Sequence, residues 1–476
     1  MVSSDSHNEF QIFKEKLKQI SSLVTRGRRD LAEEQLENLS ISDQLDKNQK
    51  IVLEVDILAL RGRIAAQKGK IKQGISILSD ALSIAENSFY VSGIADVMYY
   101  LGRVQWELGE DLELAHEYFQ EALTIRTQIQ DKGGIAACLN GLGLVELTSG
   151  SLEEALKYFQ TYKNMSLELN NQLEQANALN NTAEIFRLRG ELEEAKKYYI
   201  EALKLYQENQ DYDGEALAFL NLGWTTWAQN DLSTAVLYLR KGLEIRKRIK
   251  SRWISYFSNL VALAGALTDF GKETQSFTES EKLLEEALNY AQSIKSASSV
   301  RICWFFQGYL ELAKGNLAQA EDLFLECLAG TKGTNFEYMS KSTLVLAEIA
   351  LTHFLSSYDQ KYLEKFVKYT NEALTLAREH KLLVMLCEIH VLKGLFEASK
   401  AKYDEALAYL TQSIILAEEK NLSRQKERAR QEYEKILEKR RRLKIKTGTL
   451  RDADALVYIQ SYLENVTEIL KRRKER

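Results

Sequence analysis

A small side chain returns about every 40 residues along most of this chain, and no other feature of the sequence constrains the fold as strongly. Successive members of the series are separated by 39 to 47 residues. Repeats of about 20 to 50 residues are typical of arrays in which each unit packs on its neighbours along the chain. The series consists of Gly62, Gly102, Gly143, Ala183, Gly223, Ala264, Gly308, Ala347 and Gly394.

Further markers keep a fixed distance from this series and predict two helices in each unit. Glycine and asparagine are the residues that best adopt the left-handed conformation that closes a helix. One of them follows seven residues after each of the first seven members, at Gly69, Gly109, Gly150, Gly190, Asn230, Gly271 and Gly315. Small residues recur in the second helix at Gly74, Ala115, Ala155, Ala195, Ala235, Ala320 and Ala406, and seven residues later at Ala81, Ala122, Ala202, Gly242, Cys327 and Ser413.

The chain contains no proline among its 476 residues. At an average use of about 5% it would contain about two dozen. Because proline breaks helix interiors and marks turns, its absence fits a chain that is helical almost throughout; a compositional bias of the genome is the alternative explanation. A chain of this length also exceeds the size at which one compact core stops growing, so an all-α array of units is expected.

Two segments carry the small–glycine–alanine–aromatic pattern most fully, LNGLGLVELTSGSLEEALKYFQ at Leu139–Gln160 and LNNTAEIFRLRGELEEAKKYYIEAL at Leu179–Leu203. In them the chain resembles the tetratricopeptide-repeat family, in a long-repeat variety similar to kinesin light chains and Rap-type arrays. The resemblance covers roughly residues 9 to 421. It implies an all-α, right-handed superhelical solenoid of about ten helix pairs with a C-terminal capping helical segment. The period near 40 and the missing proline depart from the standard repeat of about 34 residues.

The repeat pattern is weakest in three places. Residues 27–39 keep only a glycine and the run LAEEQLENL, and the unit from Ala264 carries the insertion ETQSFTES. In the unit from Ala347, Phe354 stands where other units have the turn glycine. We divide the chain into N-terminal capping helices with a degenerate repeat (1–50), the array (51–421) and a basic C-terminal helical tail (422–476).

The tail differs from the array in charge. Residues 424–476 carry a net charge of +8, whereas residues 1–423 carry −13. Apolar spacing in the tail predicts two helices joined near Gly448. The first interpretation is a capping pair that shields the last repeat. The others are an arm for nucleic acid or an acidic protein, and docking on the array's own acidic surface. Because the sequence has no recognisable DNA-reading module, we expect nucleic acid to bind only through this tail, if at all.

The sequence contains no recognisable catalytic, metal or cofactor motif. His116-Glu117 begins a zinc-peptidase-like pattern, but Gln120 stands where the second histidine is required. Cys387 and His390 lie one helical turn apart without two further ligands nearby. We therefore expect no enzymatic activity, no catalytic or metal-binding residues and no cofactor.

Features of membrane and secreted proteins are also missing from the sequence. The four cysteines show no paired spacing, so no disulfide framework is expected. The longest apolar stretch, around residues 256–270, is too short and too polar to span a bilayer, and the N-terminal residues lack a signal-peptide pattern. These features predict a cytoplasmic protein that does not bind membranes.

The resemblance implies a concave groove lined by the first helix of each unit. Asparagine can hold the backbone of an extended peptide, since it carries both a donor and an acceptor. Arginine can clamp a carboxylate in two-point geometry, and tryptophan provides apolar anchoring area. The alternative is that the asparagines bridge neighbouring helices and the aromatic residues are ordinary packing. The predicted partner-binding residues are Tyr100, Arg103, Trp106, Asn140, Asn180, Asn181, Glu184, Arg187, Asn221, Trp224 and Trp227.

These observations lead to a ranked set of functions. The leading hypothesis is a non-enzymatic scaffold or adaptor that receives a segment of another protein, or a peptide, in the groove. The alternative is a peptide-responsive regulatory receptor, followed by binding of nucleic acid or an acidic partner through the basic tail. The negative array favours basic partners by long-range attraction. The sequence leaves the partner's identity and the oligomeric state open.

Overall fold

The computed structural model describes residues 4–109, 111–250, 254–329 and 336–446, and in these ranges every regular element is an α-helix. The all-α prediction is therefore confirmed. The helices are α1 Ser4–Thr25, α2 Arg29–Glu37, α3 Lys47–Gln67, α4 Ile71–Asn87, α5 Val91–Leu108, α6 Leu112–Gln128, α7 Lys132–Ser149, α8 Leu152–Glu168, α9 Gln172–Arg189, α10 Leu192–Glu208, α11 Tyr212–Ala228, α12 Leu232–Arg248, α13 Ile254–Thr274, α14 Thr278–Ser293, α15 Ala297–Lys314, α16 Leu317–Leu328, α17 Phe336–Ser357, α18 Gln360–Glu379, α19 Leu383–Ser399, α20 Tyr403–Glu419 and α21 Ser423–Lys446.

The helices follow the predicted order of ten pairs, from α1–α2 to α19–α20, with α21 after them. Glycines of the first series receive side chains from the second helix of the same pair. An added Cβ at Gly143 would lie 2.5 Å from the Phe159 ring, and one at Gly223 would lie 2.5 Å from Leu239. Only a residue without a Cβ allows the two backbones to come this close. The same contact recurs at Gly62 with Leu78, Gly102 with Phe119, Gly308 with Phe324 and Gly394 with Leu410.

Turns within the pairs confirm six of the seven predicted helix ends. The residue at each of these six turns has a positive φ, the left-handed conformation that glycine and asparagine adopt at a helix end. The φ values are 82° at Gly69, 63° at Gly109, 93° at Gly150, 83° at Gly190, 67° at Asn230 and 88° at Gly315.

One of the seven predicted helix ends is wrong, and in the unit from Ala347 the turn also lies further along the chain than in the other units. Gly271 lies inside α13, which continues to Thr274, and the left-handed residue is Gln275, with a φ of 55°. Phe354 lies inside α17, and Tyr358, also at 55°, takes the left-handed conformation after that helix. In both units the first helix runs about one helical turn further than in the other units, so the turn moves along the chain with it.

Two compact units divide the chain. Unit 1 consists of Met1–Leu188 and Leu192–Ser342, and unit 2 of Arg189–Glu191 and Thr343–Arg476.

The N-terminal helices α1 and α2, where the repeat pattern is weakest, join α3 in unit 1 through one buried apolar cluster. Its members include Phe13, Leu17, Ile20, Val24, Leu36, Leu53 and Leu60.

Unit 1 contains a buried ion-pair cluster between segments that are far apart in the chain. Arg29, at the start of α2, donates to Asp213 in α11, 184 residues away. Asp213 also pairs with Arg246 of α12 at 3.3 Å. Only 3% of the Arg29 side chain and 1% of the Arg246 side chain are exposed. The Arg29–Asp213–Arg246 cluster therefore fastens the N-terminal helices to α11 and α12, a contact that the repeat spacing does not predict.

Asp211, the N-cap residue of α11, makes a pH-dependent contribution to stability. Its carboxylate accepts a hydrogen bond from the Gly214 backbone N–H at 3.0 Å and is buried. Burial, opposed by that hydrogen bond, raises the pKa of Asp211 to about 7. An unperturbed aspartate has a pKa of about 3.9. The native chain therefore binds this proton more tightly than the unfolded chain does, and this residue reduces stability as the pH rises from about 4 to about 7.

Replacing this carboxylate by an amide is expected to remove the loss of stability at high pH. Asn in the Asp211→Asn variant keeps an N-cap acceptor and carries no charge. Near pH 8 the variant should unfold at a higher temperature than the parent, since one unit of pKa displacement corresponds to about 1.4 kcal/mol. Calorimetry across pH measures the difference between the two proteins, which should shrink toward pH 4 (about the ordinary aspartate pKa). A difference that does not change with pH would contradict the assignment.

The basic helix α21 packs on the preceding helices of unit 2. Ala429 and Tyr433 lie in an apolar cluster with residues of α19 and α20. Arg428 forms an ion pair with Glu388 at 2.5 Å. The apolar contacts agree with the capping interpretation for α21, and the ion pair agrees with docking on the array's own acidic surface. The predicted second tail helix, residues 447–470, lies outside the described residues, and the three-part division of the chain stays a prediction.

Candidate partner-binding wall

Four of the predicted asparagines lie along α7, α9 and α11 and are hydrogen-bonded to one another. Asn181 donates to the side-chain oxygen of Asn140 at 2.7 Å, and Asn221 donates to that of Asn180 at 3.0 Å. Each of these bonds joins residues 41 positions apart, one residue more than the 40 that separate Gly143 from Ala183 and Ala183 from Gly223. A bond of 3.3 Å from Asn180 to Asn181 connects the two pairs. We call this set the asparagine ladder.

The asparagine ladder is buried, with between 3% and 9% of each residue exposed. An asparagine side chain has two N–H donors and an oxygen with two lone pairs. The bonds within the ladder therefore leave part of the capacity of each amide unused. This geometry agrees with the alternative that the asparagines bridge neighbouring helices. It also aligns four amides along successive first helices, as a binding site for an extended main chain requires.

Arg187 is held between two carboxylates of the chain itself. It donates to Glu184 on the same helix and, in two-point geometry, to Glu337 at the start of α17, at 3.1 and 2.9 Å. Burial alone would raise the pKa of the Glu337 carboxyl, but the Arg187 guanidinium and the Lys341 ammonium hold it well below its usual range. The expected clamp geometry is present, and this chain supplies the carboxylates that fill it.

Trp224 is the partly exposed member of an aromatic cluster one helical turn from Asn221. Its ring stacks on Trp227 with a centroid distance of 5.1 Å. Two cations lie over the same ring, Arg187 at 5.8 Å and Lys341 at 5.2 Å from its centroid. Such contacts stabilise a half-exposed indole in one orientation. The cluster therefore offers a fixed apolar surface at the α11 end of the ladder.

Arg103 and Trp106 form a separate cluster on α5. The Arg103 guanidinium lies 5.0 Å from the centroid of the Trp106 ring, and the Trp106 N–H donates to Thr148 of α7 at 2.8 Å. Tyr100 packs against the guanidinium of Arg63, 5.3 Å from its ring centroid. The predicted residues thus form two groups. One contains the ladder with the Arg187 and Trp224 contacts, and the other contains the α5 residues. We refer to both groups together as the first-helix wall.

Three residues that complete the wall were not predicted. Glu337 and Lys341 belong to α17, and Glu337 is 150 residues from Arg187 in sequence. Tyr199 of α10 donates its hydroxyl to Glu184 at 2.6 Å. Repeat spacing reveals neighbours within a unit and between adjacent units, but contacts across a longer interval depend on the rotation accumulated between units. Tyr199 is one of the aromatic residues of the repeat pattern in Leu179–Leu203, so that pattern could have suggested it.

The described residues contain no group of three or more His, Cys, Asp or Glu side chains that could hold a metal ion. The four cysteines are buried and form no disulfide. Burial raises the pKa of Cys138, Cys303 and Cys387 to about 12, which makes these thiols poor nucleophiles. Of the described helices, none has both the length and the apolar character that crossing a bilayer requires.

Comparison with known proteins supports the repeat assignment. A tetratricopeptide-repeat family model matches residues 174–248, which contain most of α9 and all of α10, α11 and α12. A Rap protein complexed with Competence and Sporulation Factor is 13% identical in sequence, with 78% of this chain and 99% of that chain covered and a TM-score of 0.56. The Rap conjugation gene regulator of the plasmid pLS20, in complex with the Phr* peptide, is 11% identical, with 78% and 96% covered and a TM-score of 0.50.

A third structure, BtubC (BKLC) from P. vanneervenii, is 18% identical, with 48% of this chain and 91% of that chain covered and a TM-score of 0.34. No sequence among curated proteins matches the chain. At such identities, the likeness to the two Rap proteins shows a shared arrangement of helix pairs and nothing about what this chain binds.

Proposed function

Because the chain folds as an array of tetratricopeptide repeats, we propose that it is a non-enzymatic receptor for an extended peptide, either free or part of another protein. The peptide binds along the first-helix wall of unit 1. The asparagine ladder carries the proposal, since its two hydrogen-bonded pairs connect α7 with α9 and α9 with α11. Each ladder pair can exchange its mutual bond for two bonds to the peptide. The freed N–H donates to a peptide C=O and the freed oxygen accepts from a peptide N–H, so no buried amide is left unpaired.

In this proposal the side chains near the asparagine ladder determine which peptide sequences bind. Main-chain hydrogen bonds do not distinguish one peptide sequence from another. Trp224 offers an apolar surface flanked by Arg187 and Lys341, which suits a large apolar side chain next to an acidic one. The Arg103–Trp106 cluster, in which 28% of the Arg103 side chain is exposed, repeats this combination on α5.

Two related structures support a peptide ligand. One Rap protein is complexed with Competence and Sporulation Factor, and another Rap protein is in complex with the Phr* peptide. Both share the arrangement of helix pairs with this chain over most of its length. The proposal for this chain rests on its own asparagine ladder, and those complexes make a peptide the first ligand class to test.

A selected peptide tests the proposal. Binders are chosen from a phage-displayed library of random linear peptides, and their affinity is then measured by fluorescence polarisation. The Asn181→Ala/Asn221→Ala variant breaks both ladder pairs and removes two main-chain contacts, each worth about 0.5–1.5 kcal/mol. We expect about tenfold weaker binding, the factor that corresponds to 1.4 kcal/mol, with unchanged helicity by circular dichroism.

Asn87→Ala provides the matched control, because Asn87 is exposed and, among the described residues, its amide donates only to Ser83 of the same helix, at 3.4 Å. This variant should bind the selected peptides as the parent does. If the ladder variant also binds them unchanged, or if the library yields no binder at all, the proposed site is wrong.

A peptide-responsive regulator is the second candidate, and the Arg187–Glu337 pair favours it. This pair connects the wall with the first turn of α17. A peptide carboxylate that took Arg187 would release Glu337. Hydrogen exchange measured with and without the selected peptide separates the two candidates. A regulator should show faster exchange in residues 336–342 when the peptide binds. A passive scaffold should show slower exchange there or no change.

A further inference from the structure

Turns within helix pairs are covered by the beginnings of later first helices. An added Cβ at Gly109 would lie 3.1 Å from Ser298 in the first turn of α15. At Gly150 it would lie 2.7 Å from the ring of Phe336, the first residue of α17. An aromatic ring can rest on such a turn because the glycine has no side chain of its own. The same kind of cover lies over Gly27, which contacts Asp213 and Ile249, and within unit 2 over Gly190, which contacts Val384.

The Gly315 turn is open. Gly315 ends α15 with a φ of 88°, close to the 93° of Gly150. No atom of the described residues outside its own helix lies within 4 Å of an added Cβ at Gly315. The Gly315 turn thus has the backbone conformation on which Phe336 packs at Gly150, but none of the described residues packs on it.

Phe89 is an exposed aromatic residue in a turn between pairs, with 86% of its surface accessible and a φ of 54°. Positive φ is unfavourable for a bulky side chain. Later turns between pairs place polar residues in this conformation, such as Gln130, Asn170 and Gln210. The Phe89 turn therefore holds a large apolar side chain outward where a polar residue would suit both the backbone and the solvent.

Apolar exposure continues along the same edge of unit 1. In the two following turns between pairs, Ile129 is 42% exposed and Leu169 is 39% exposed. Ile249, which holds the corresponding place after α12, is instead covered by the Gly27 turn, whose added Cβ would lie 3.1 Å away. The early turns between pairs thus expose the kind of side chain that a later one packs against a turn glycine.

We propose that this chain associates head to tail with a second copy of itself, the Phe89 turn of one copy covering the Gly315 turn of the other. In this contact Phe89 of one copy packs on Gly315 of the other, as Phe336 packs on Gly150 within one chain. A second copy is the partner because this chain carries both the exposed Phe89 turn and the open Gly315 turn. The same two kinds of turn, one between pairs and one within a pair, already contact each other inside the chain. Since the two patches differ, the interface is heterologous, and each added copy presents one further free patch.

The Phe89→Asn variant tests the first half of the contact. Asparagine accepts positive φ, so the fold should be retained or stabilised, while the apolar cover is lost. We expect the weight-average mass of the parent protein, followed by sedimentation velocity, to rise at least twofold with concentration. The variant should stay at the monomer mass. Tyr358→Asn is the matched control: Tyr358 is also aromatic, 70% exposed and at a φ of 55°, but lies in a turn within a pair.

The Gly315→Asn variant tests the second half, because it keeps a residue suited to positive φ and fills the open space. Alone, this variant should also be monomeric. A mixture of the Phe89→Asn and Gly315→Asn proteins should give dimers and nothing larger, since each variant retains one intact patch. A self-complementary interface around Phe89 would give no dimers of that kind in the mixture.

Three results would overturn the proposal. The parent could remain monomeric at the highest concentration reached. It could associate equally well after Phe89→Asn. Or its Gly315 turn could be protected from hydrogen exchange independently of concentration, which would mean that another part of the same chain covers it.

Discussion

The Gly143→Val variant is expected to lose about 3 kcal/mol of stability, the upper part of the range for overfilling a packed interior. A Cβ at this position would lie 2.5 Å from one carbon of the Phe159 ring and 2.8 Å from the next, and Phe159 is fully buried. The ring cannot move toward solvent, so α7 and α8 must separate. Because units of an array depend on their immediate neighbours, the disturbance should extend to α6 and α9. The melting temperature and segment-resolved hydrogen exchange measure both effects.

Gly133→Ala in the same helix is the control. Of the residues that the structure describes, a Cβ there would meet only the Asp131 carboxylate, at 3.7 Å. Alanine should therefore be neutral or stabilise by up to about 1 kcal/mol, since glycine is a poor helix former. In the Gly143→Val background, Phe159→Leu should recover part of the loss, because a smaller side chain leaves room for the new methyl groups. If Gly143→Val melts at the parent temperature, close packing at the marker glycines does not hold the pairs together.

The repeated small residues made the fold predictable from sequence. Gly62, Gly143 and Gly223 each mark a place where two helices of one pair touch, and such contacts lie close together in sequence. The turn residues were predictable for the same reason, because a left-handed helix end has a local residue preference. The prediction failed at Gly271, where the first helix is longer and the marker is no longer at the turn, and a longer first helix also moves the turn away from Phe354.

The candidate site was predictable only in part. Asn140 lies three residues before Gly143 and Asn181 two residues before Ala183, so the repeat pattern brings them close together on adjacent first helices. Their mutual hydrogen bonds follow from side-chain conformations that the spacing does not describe. The partner of Arg187 could not be predicted from the sequence, for a different reason. Glu337 arrives from four helix pairs further along the chain, and that approach depends on small rotations summed over every intervening pair.

The buried Arg29–Asp213–Arg246 cluster is a second contact of this long-range kind, and breaking it is expected to be costly. The Asp213→Ala variant leaves two guanidinium groups, only 3% and 1% exposed, without their shared carboxylate. Removing one partner of a buried ion pair typically costs about 3–5 kcal/mol. Burial already lowers the pKa of Arg246 to about 10, and Asp213 is the charge that most strongly opposes this effect. The N-terminal helices should therefore detach from α11 and α12.

Hydrogen exchange in α1 and α2, together with the melting temperature, measures that detachment. Adding Arg29→Met to Asp213→Ala should recover part of the loss, because one uncompensated charge disappears and its buried volume stays filled. Lys250→Ala is the matched control. Lys250 pairs with Asp30 of α2 at 3.0 Å across the same junction, but its side chain is 75% exposed, so its loss should cost no more than about 1 kcal/mol. Equal exchange in α1 and α2 for the Asp213 and Lys250 variants would mean that apolar packing alone fastens these helices.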